Sequence, residues 1–214
     1  MRKLIAASLV TLGMATTFLN AAAPVPRPAK EITLQQPSGS NTLLSSYKGK
    51  VVLLACMFTT CPHCQALSQV ITKLQGELGP RGFQALGAVF NDEVNTPNQQ
   101  ANLAVARGFV DQFHVGFPVG RVPRDTVMNY LGLSVMDSRW VVPQLLIIDQ
   151  KGQIVAQSDP KGETTPWMQK EDGLRNYLNT LLGPAPAATT SKSGATKKAS
   201  PTTSAKKTPV DKED

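Results

Sequence analysis

The sequence predicts an α/β protein in which a mixed central β-sheet is flanked by helices. Two continuous apolar runs, Val51–Met57 and Phe83–Phe90, have the length and composition of strands covered on both faces. A helical pattern lies between them and another follows, and this alternation favours parallel strands joined by right-handed crossovers. A β-hairpin pattern over residues 145–157 adds antiparallel strands, so the predicted sheet is mixed.

The first half of the domain contains a short strand and two strand–helix units. Glu31–Gln35 predicts the short strand, and the two apolar runs follow it. Pro62–Leu78 is predicted to be a helix because its apolar residues recur at helical spacing and therefore lie on one stripe. Gly79 and Pro80 end this helix. A second helix, over Pro97–Phe113, follows the second apolar run.

The second half begins with a short insert and ends with a hairpin and a helix. Phe117–Val119 predicts an extended piece, and Asp125–Leu131 a small helix. The hairpin joins Leu145–Ile148 to Gln153–Gln157 through a polar turn. A last helix is predicted over Pro166–Leu182, because three leucines and a tyrosine recur there at helical spacing.

Residues 1–23 have the pattern of a secretory signal peptide. Arg2 and Lys3 give a positive start, Leu4–Leu19 is apolar, and Ala21–Ala23 offers small residues for cleavage. An uncleaved membrane anchor is the alternative, although the apolar stretch is short for a full span. Either way, we expect the body to face the periplasm or another extracytoplasmic compartment. Residues 24–30 then form a Pro-rich spacer, and residues 31–183 the folded domain.

The formal net charge of +7 comes mostly from the two ends of the chain. Residues 184–214 contain no Leu, Ile, Met, Phe, Trp or Tyr, and this Ala-, Thr-, Ser-, Pro- and Lys-rich tail is predicted to be disordered. Between the ends, basic and acidic residues nearly balance, which excludes a basic nucleic-acid surface. The tail is interpreted as a spacer, with contact to anionic envelope components as the alternative.

The chemistry of the sequence centres on Cys61-Pro62-His63-Cys64, where a buried strand becomes a helix. Pro62 suits the first helical position, where its missing N–H is not needed. Cys61 then lies at the helix N-terminus, where unpaired N–H groups and the positive end of the helix dipole favour a thiolate. Cys64 follows one turn later, close enough to close a disulfide. We therefore expect Cys61 to be the nucleophile and Cys64 the resolving thiol.

Two other interpretations of the C-x-x-C pair compete with the redox one. A zinc site needs further ligands, and the sequence offers only Cys56 and two histidines in addition to the pair. A purely structural disulfide would close a loop too small to constrain the unfolded chain much. The prediction is a redox-active Cys61–Cys64 disulfide, with no metal and no dissociable cofactor.

Three segments together resemble the thioredoxin-like redoxins of the TlpA/ResA type, in the AhpC/TSA-type family. They are Val51–Leu54, Phe58–Cys64 and Val142–Asp149, and the likeness spans about residues 31–182. The resemblance implies a thioredoxin fold in which the short insert precedes the strand that Pro143 opens. It also implies that Pro143 is cis and lies beside the dithiol, and that Val142 offers backbone groups to an extended substrate.

The resemblance further implies an exported thiol–disulfide oxidoreductase that exchanges disulfides with cysteine-containing proteins. A membrane or soluble redox partner would reset the dithiol, and the direction of electron flow stays open. The Pro-His dipeptide is also that of the strongly oxidising periplasmic protein DsbA. We therefore expect Pro62 and His63 to tune the redox poise, with the His63 imidazole stabilising the Cys61 thiolate and making the disulfide more oxidising.

The sequence departs from that family at three positions near the dithiol. Ala55 and Leu67 stand where reducing relatives carry carboxylates, and Thr60 replaces an aromatic residue. The missing carboxylates weaken assignment as a reductase and favour oxidase or isomerase work. They also leave open which group accepts the proton of Cys64.

Two alternative functions on the same fold remain. A copper-binding protein of the Sco type would need His114 as a distant ligand, and it uses a C-x-x-x-C spacing that is absent here. A thiol peroxidase would need a Pro-x-x-x-Thr-x-x-Cys signature, which Phe58 breaks.

Among the remaining residues, Cys56 is interpreted as a core cysteine, Trp140 as a residue flanking the site, and Trp167 as a residue that docks the last helix.

Overall fold

The computed structural model describes residues 23–91, 99–134, 137 and 139–184, and within them eight strands form one sheet. The strands are β1 (Arg27–Pro28), β2 (Thr33–Gln35), β3 (Asn41–Leu43), β4 (Val51–Met57), β5 (Phe83–Val89), β6 (Val119–Arg121), β7 (Gln144–Ile148) and β8 (Gln153–Gln157). The α-helices are α1 (Pro62–Leu78), α2 (Gln99–Phe113), α3 (Arg124–Leu131) and α4 (Glu171–Leu182). Single turns of 3-10 helix occur at Leu44–Tyr47, Gly79–Arg81 and Pro166–Gln169.

The sheet has the strand order β1-β8-β7-β4-β5-β6-β2-β3 and is mixed. β4 pairs in parallel with β5, which pairs in parallel with β6. On its other side β4 pairs antiparallel with β7, the first strand of the predicted hairpin. The prediction of an α/β protein with a mixed central sheet flanked by helices is therefore confirmed.

β4 lies near the middle of the sheet, and all seven of its residues are buried. Its alternate side chains enter two separate cores, as the period of a strand requires. Leu53 and its like-facing neighbours meet residues of α1, α2 and α4, whereas Leu54 and its neighbours meet residues of α3 on the opposite face. Burial on both faces explains why this strand is a continuous apolar run.

Helix α1 has the predicted bounds, Pro62 to Leu78. Cys61 is its N-cap, with extended backbone angles (φ −85°, ψ 118°), and Pro62 occupies the first helical position. The apolar stripe of α1 is buried and includes Leu67, Ile71 and Leu74. Local capping chemistry and tertiary packing therefore specify the same helix.

The predicted last helix, Pro166–Leu182, is wrong in its first part. A 3-10 turn covers Pro166–Gln169, Lys170 is extended (φ −110°, ψ 139°), and α4 begins only at Glu171. The absence of a side chain at Gly173 permits this break, because a Cβ there would stand 2.3 Å from the carbonyl oxygen of Trp167. The 3-10 turn folds back onto the start of α4, and this packing overrides the helical periodicity.

The sheet also contains two short strands that the sequence pattern does not predict. β1 lies within the predicted Pro-rich spacer and pairs with β8, where the Arg27 guanidinium donates a hydrogen bond to the carbonyl of Tyr130 (3.1 Å). β3 pairs with β2 at the opposite edge. The strand predicted to end at Phe90 ends at Val89, and the extended piece predicted at Phe117–Val119 is the strand Val119–Arg121.

Several predictions fall on residues that the structure does not describe. They are most of the signal peptide (1–23), nearly all of the tail (184–214) and the start of the second helix at Pro97. None of the described helices has the length and apolar character needed to cross a membrane.

Candidate active site

Cys61 lies where β4 gives way to α1, at the carboxyl end of the central strand. The backbone carbonyl of Cys61 accepts a hydrogen bond from the Gln65 N–H (3.0 Å), as an N-cap residue requires. Its side chain is half-buried, whereas Pro62 and His63 are exposed. The start of α1 directs unpaired N–H groups and the positive end of its dipole toward this position, and both favour negative charge there.

Cys64 lies one turn further along α1 and is fully buried in the core that α1 shares with α4. Burial raises the pKa of the Cys64 thiol well above its usual range, and the neighbouring Cys61 raises it further. All three cysteines are free thiols. The dithiol is therefore asymmetric: Cys61 is partly exposed to solvent, whereas Cys64 is fully buried.

The loop before β7 closes the other side of Cys61. The Cys61 Sγ lies 3.8 Å from the backbone carbonyl oxygen of Val142, and the Val142–Pro143 peptide bond is cis, as the family resemblance implies. Pro143 is buried, and Val142 is half-buried. The structure thus brings together the four residues of the C-x-x-C segment and the two residues predicted to bind substrate.

The side chain of Gln144 holds the loop before β7 in place through hydrogen bonds. Its side chain is fully buried, and its amide N–H₂ donates to the carbonyls of Val141 (2.8 Å) and Asp159 (3.3 Å). One amide therefore connects the loop before β7 with the loop after β8. A buried amide that holds two backbone segments restricts both of them, because leaving those carbonyls unpaired would carry a desolvation cost.

Sequence reasoning missed a second set of polar contacts, which holds the turn before Cys61. The Thr59 N–H donates to Asn91 Oδ1 (3.0 Å), and Asn91 Nδ2 donates to Thr59 Oγ1 (2.8 Å). Gln65 Nε2 donates to the Thr59 carbonyl (2.9 Å), which ties the same residue to α1. Asn91 follows β5, so the adjacent ends of two parallel strands supply this amide clamp, formed by Thr59, Gln65 and Asn91.

We expect Thr59→Val to slow disulfide exchange severalfold and to lower the free energy of unfolding by about 1–3 kcal/mol. The substitution keeps the shape of Thr59, which is 8% exposed, but leaves the Asn91 amide without its hydroxyl partner. Exchange rates with an oxidised model peptide and urea unfolding would measure the two effects. Thr59→Ser keeps the hydroxyl and is the control. Equal exchange rates in the two variants would contradict a positioning role for the hydroxyl.

The remaining cysteine and the two tryptophans lie outside the dithiol. Cys56 is fully buried on the opposite face of the sheet from Cys64, and burial raises its pKa to about 12. Trp140 stacks on Phe90 (5.5 Å between ring centroids, 12° between planes). Trp167 packs on Tyr177 of α4 (4.9 Å between centroids). Cys56 is therefore a core cysteine, and Trp167 packs against the last helix, as predicted.

His114 follows α2 and is exposed, with a left-handed backbone (φ 47°). The segment around it contacts α1 at Gln69, through the Phe113 carbonyl, and at Thr72, whose hydroxyl accepts the Gly116 N–H (3.1 Å). These contacts lie more than one helical turn beyond Cys64. In the described part of the chain, no three His, Cys, Asp or Glu side chains gather as a metal site would require.

Comparisons with known proteins agree with this geometry. The fold is similar to that of the thioredoxin domain of a thiol-disulfide oxidoreductase from Bacteroides vulgatus (18% identity, TM-score 0.57). The likeness covers 75% of this chain and 99% of that domain. A thioredoxin-family thiol:disulfide interchange protein from Chlorobium tepidum is similar over 76% of this chain and 100% of its own (18%, 0.58). A secreted Mycobacterium tuberculosis disulfide oxidoreductase, described as homologous to E. coli DsbE, is similar over 70% and 96% (15%, 0.51).

At these identities the likeness establishes the thioredoxin-like fold. A comparison with curated protein sequences finds no significant match. The model of the AhpC/TSA family matches residues 25–157, which is more than half of the chain and includes β4, the C-x-x-C segment and the hairpin. The chain therefore belongs to the AhpC/TSA family.

Proposed function

We propose that the protein is a thiol–disulfide oxidoreductase in which Cys61 and Cys64 exchange disulfides with cysteine-containing proteins. The observation that carries the proposal is the asymmetric dithiol: a half-buried Cys61 lies at the helix N-cap beside the Val142 carbonyl, and a buried Cys64 follows one turn later. Membership of the AhpC/TSA family supports thiol chemistry. The structural relatives described as thiol–disulfide exchange proteins support the choice of protein disulfides as substrates.

In the reducing direction, the Cys61 thiolate attacks one sulfur of a substrate disulfide. The Cys61–substrate mixed disulfide forms as the substrate's own S–S bond breaks, and the leaving sulfur departs as a thiolate that takes up a proton. Cys64 then loses its proton and attacks Cys61 Sγ, which releases the second substrate sulfur and leaves the Cys61–Cys64 disulfide. The oxidising direction is the reverse of these steps, and no dissociable cofactor takes part in them.

The loop before β7 supplies the surface on which a partner polypeptide would bind. The Val142 carbonyl contacts Cys61 Sγ, so a chain extended along this loop would bring its own cysteine against the nucleophile. The amide clamp and Gln144 hold the two sides of the site in place. Pro62 and His63 follow Cys61 and are exposed, so they can contact the partner and tune the dithiol.

Equilibration of the protein with defined ratios of reduced and oxidised glutathione tests the proposal. We expect one reversible two-electron transition, with a disulfide that links Cys61 to Cys64 and leaves Cys56 reduced. A potential near that of DsbA, about −120 mV, would assign oxidase or isomerase work. A potential near or below that of thioredoxin, about −270 mV, would assign reductase work. If no disulfide forms at any ratio, the proposal is wrong.

The His63→Ala substitution tests whether the imidazole sets the redox poise. An imidazole that donates to the Cys61 thiolate, or carries a positive charge beside it, stabilises the reduced dithiol and raises the potential. We expect His63→Ala to lower the potential by about 30 mV or more, which corresponds to about 1.4 kcal/mol for this couple. The only other histidine, His114, provides the matched control. Unchanged potentials in both variants would contradict the tuning role.

The resolving step should accelerate as pH rises. Burial raises the Cys64 pKa above its usual value, so Cys64 is protonated at neutral pH and its thiolate fraction grows in the alkaline range. Below that raised pKa, we expect the rate of mixed-disulfide resolution to increase about tenfold per pH unit. Rapid-mixing measurements of substrate release would follow it. A rate independent of pH between 7 and 9 would require a base that takes the Cys64 proton.

We further propose an extracytoplasmic location. The signal-peptide pattern of residues 1–23 supports it, as does the similarity to a relative described as secreted. A redox partner in the same compartment or its membrane would reset the dithiol. The Lys-rich tail would act as a spacer, or contact anionic components of the envelope. Fractionation of cells that express the full chain would test the location.

A thiol peroxidase is the second candidate, and the family match itself favours it. Against it, Phe58 stands where the peroxidase signature needs threonine, and its ring packs on Phe90 (4.6 Å between centroids). We expect hydrogen peroxide to oxidise Cys61 slowly, at a rate typical of a thiol outside a peroxidase site. Rapid peroxide consumption with thiol recycling would favour the peroxidase instead.

A further inference from the structure

A groove lined by lysines lies at the end of the sheet opposite the dithiol. It has a volume of about 500 Å³ and is bordered by four lysines, Lys30, Lys48, Lys50 and Lys151. Three segments supply them: the chain after β1, the approach to β4, and the turn between β7 and β8. Lys50 immediately precedes β4, whereas Cys61 lies beyond its far end. Seven residues of extended strand separate the lysine groove from the dithiol by roughly 20 Å or more.

The carboxylates in the lysine groove are already held by backbone groups. Glu31 Oε1 accepts the N–H groups of Ile32 (3.1 Å) and Ser45 (3.2 Å). Asp149 Oδ1 accepts those of Lys151 (2.9 Å) and Gln153 (2.8 Å). No ion pair to the four lysines occurs among the described residues. The Lys50 ammonium lies 5.8 Å from the centroid of the Tyr47 ring.

The lysine groove also concentrates the positive charge of the body. Four lysines and two carboxylates give it a formal charge of +2. Elsewhere in residues 24–183, ten basic side chains are balanced by ten acidic ones. The lysine groove therefore carries the whole formal net charge of residues 24–183. A cleft lined by one sign of charge raises the local concentration of the opposite ion.

The chemistry of the lining indicates the class of ligand. An ammonium group is a compact point charge with three donors, and lysine binds phosphate in this manner. No arginine is among the described residues that line the groove. The floor is apolar, with the buried side chains of Leu44, Val52 and Ile148 and the half-buried Tyr47. Such a site has room for a phosphate on the lysines and for an uncharged group against the floor, within the usual size range of ligand pockets.

We propose that the lysine groove binds a phosphate ester. The phosphate contacts the lysine ammonium groups, and the esterified group lies against the apolar floor. The same chemistry is offered by a small phosphorylated molecule and by the headgroup of an anionic phospholipid. In either case, binding occurs at the opposite end of β4 from Cys61 and leaves the dithiol open to its protein partner.

Binding by the full chain to two probes tests this proposal. The probes are glycerol 3-phosphate, titrated while amide chemical shifts are recorded, and sedimented vesicles of phosphatidylglycerol mixed with phosphatidylcholine. The groove variant is Lys48→Gln with Lys151→Gln, and the control is Lys161→Gln with Lys170→Gln. All four lysines are exposed. Each pair removes two charges and leaves the lysines of the tail unchanged. Thermal unfolding checks that both variants fold.

We expect the groove variant to weaken binding of at least one probe about tenfold, because each lysine near a phosphate contributes to the attraction. The control should weaken it less than twofold. Binding of glycerol 3-phosphate, with shifts at Gly49 and Gly152, would identify a site for small molecules. Binding of vesicles alone would identify a headgroup site. Equal losses in the two variants, or no binding of either probe by the unmodified chain, would overturn the proposal.

Discussion

Cys61→Ser should lower the rate of disulfide exchange at least about a thousandfold, to the background rate. A serine hydroxyl can neither attack a disulfide sulfur as a thiolate does nor be held in a mixed disulfide. Cys64→Ser should leave the first step intact and trap the complex, since Cys64 is the thiol next to Cys61. Insulin reduction would report the rate, and a non-reducing gel would reveal the trapped mixed disulfide.

Cys56→Ala is the matched control for both variants. Cys56 is a buried thiol on the opposite face of the sheet, so its removal should lower stability modestly and leave exchange in place. Loss of exchange in Cys56→Ala alone, with the folded state preserved, would assign the chemistry to a different cysteine. Substantial exchange by Cys61→Ser would refute the proposed nucleophile.

Gly173→Ala should lower the free energy of unfolding by about 2–3 kcal/mol, although alanine is ordinarily the better helix former by about 1 kcal/mol. The new Cβ would meet the Trp167 carbonyl oxygen at 2.3 Å and its carbonyl carbon at 2.9 Å. These are backbone atoms, so the 3-10 turn or α4 must move as a unit. α4 covers one core of the sheet through Leu174 and Leu178, and its displacement would expose both.

Gly76→Ala, also in an α-helix, should change the free energy of unfolding in the opposite direction. Gly76 is exposed near the end of α1, and no atom lies within 4 Å of the site of its added Cβ. Helix propensity alone should therefore raise the free energy of unfolding by about 0.5–1 kcal/mol. Urea unfolding of both variants checks the pair. Equal effects of the two substitutions would mean that the close approach at Gly173 is relieved without cost.

The central part of the fold could be predicted because local and tertiary signals agree there. Val51–Met57 is apolar throughout, being buried on both faces, and α1 has a Pro62 start and one apolar stripe. The break at Lys170 could not be predicted in this way. The break brings Gly173 against a carbonyl six residues earlier, and periodicity cannot show this contact because it records only which side chains are apolar. β1 could not be predicted either, because a strand of two residues is too short to show alternation of apolar and polar side chains.

In the candidate site, too, some residues could be predicted from the sequence and others could not. The positions of Cys61, Pro62 and Cys64 follow from one local motif at a strand–helix junction, and Val142 and Pro143 from a family resemblance. Neither the motif nor the resemblance predicts the contacts of Asn91. It is 32 residues from Thr59 in sequence, and only the parallel pairing of β4 with β5 brings the two together. Its one sequence clue is a polar residue directly after a buried strand, which marks the functional edge of an open α/β sheet.

The short outer strands have a consequence for how this protein avoids unwanted association. β1 has two residues, one of which, Pro28, has no N–H to offer, and β3 at the other edge has only three residues. Long exposed edges act as templates for pairing with other chains, and short edges with proline suppress it. Backbone pairing with a foreign polypeptide is therefore discouraged at both borders of the sheet. A protein that exchanges disulfides with other polypeptides is protected in this way from adding their strands to its own sheet.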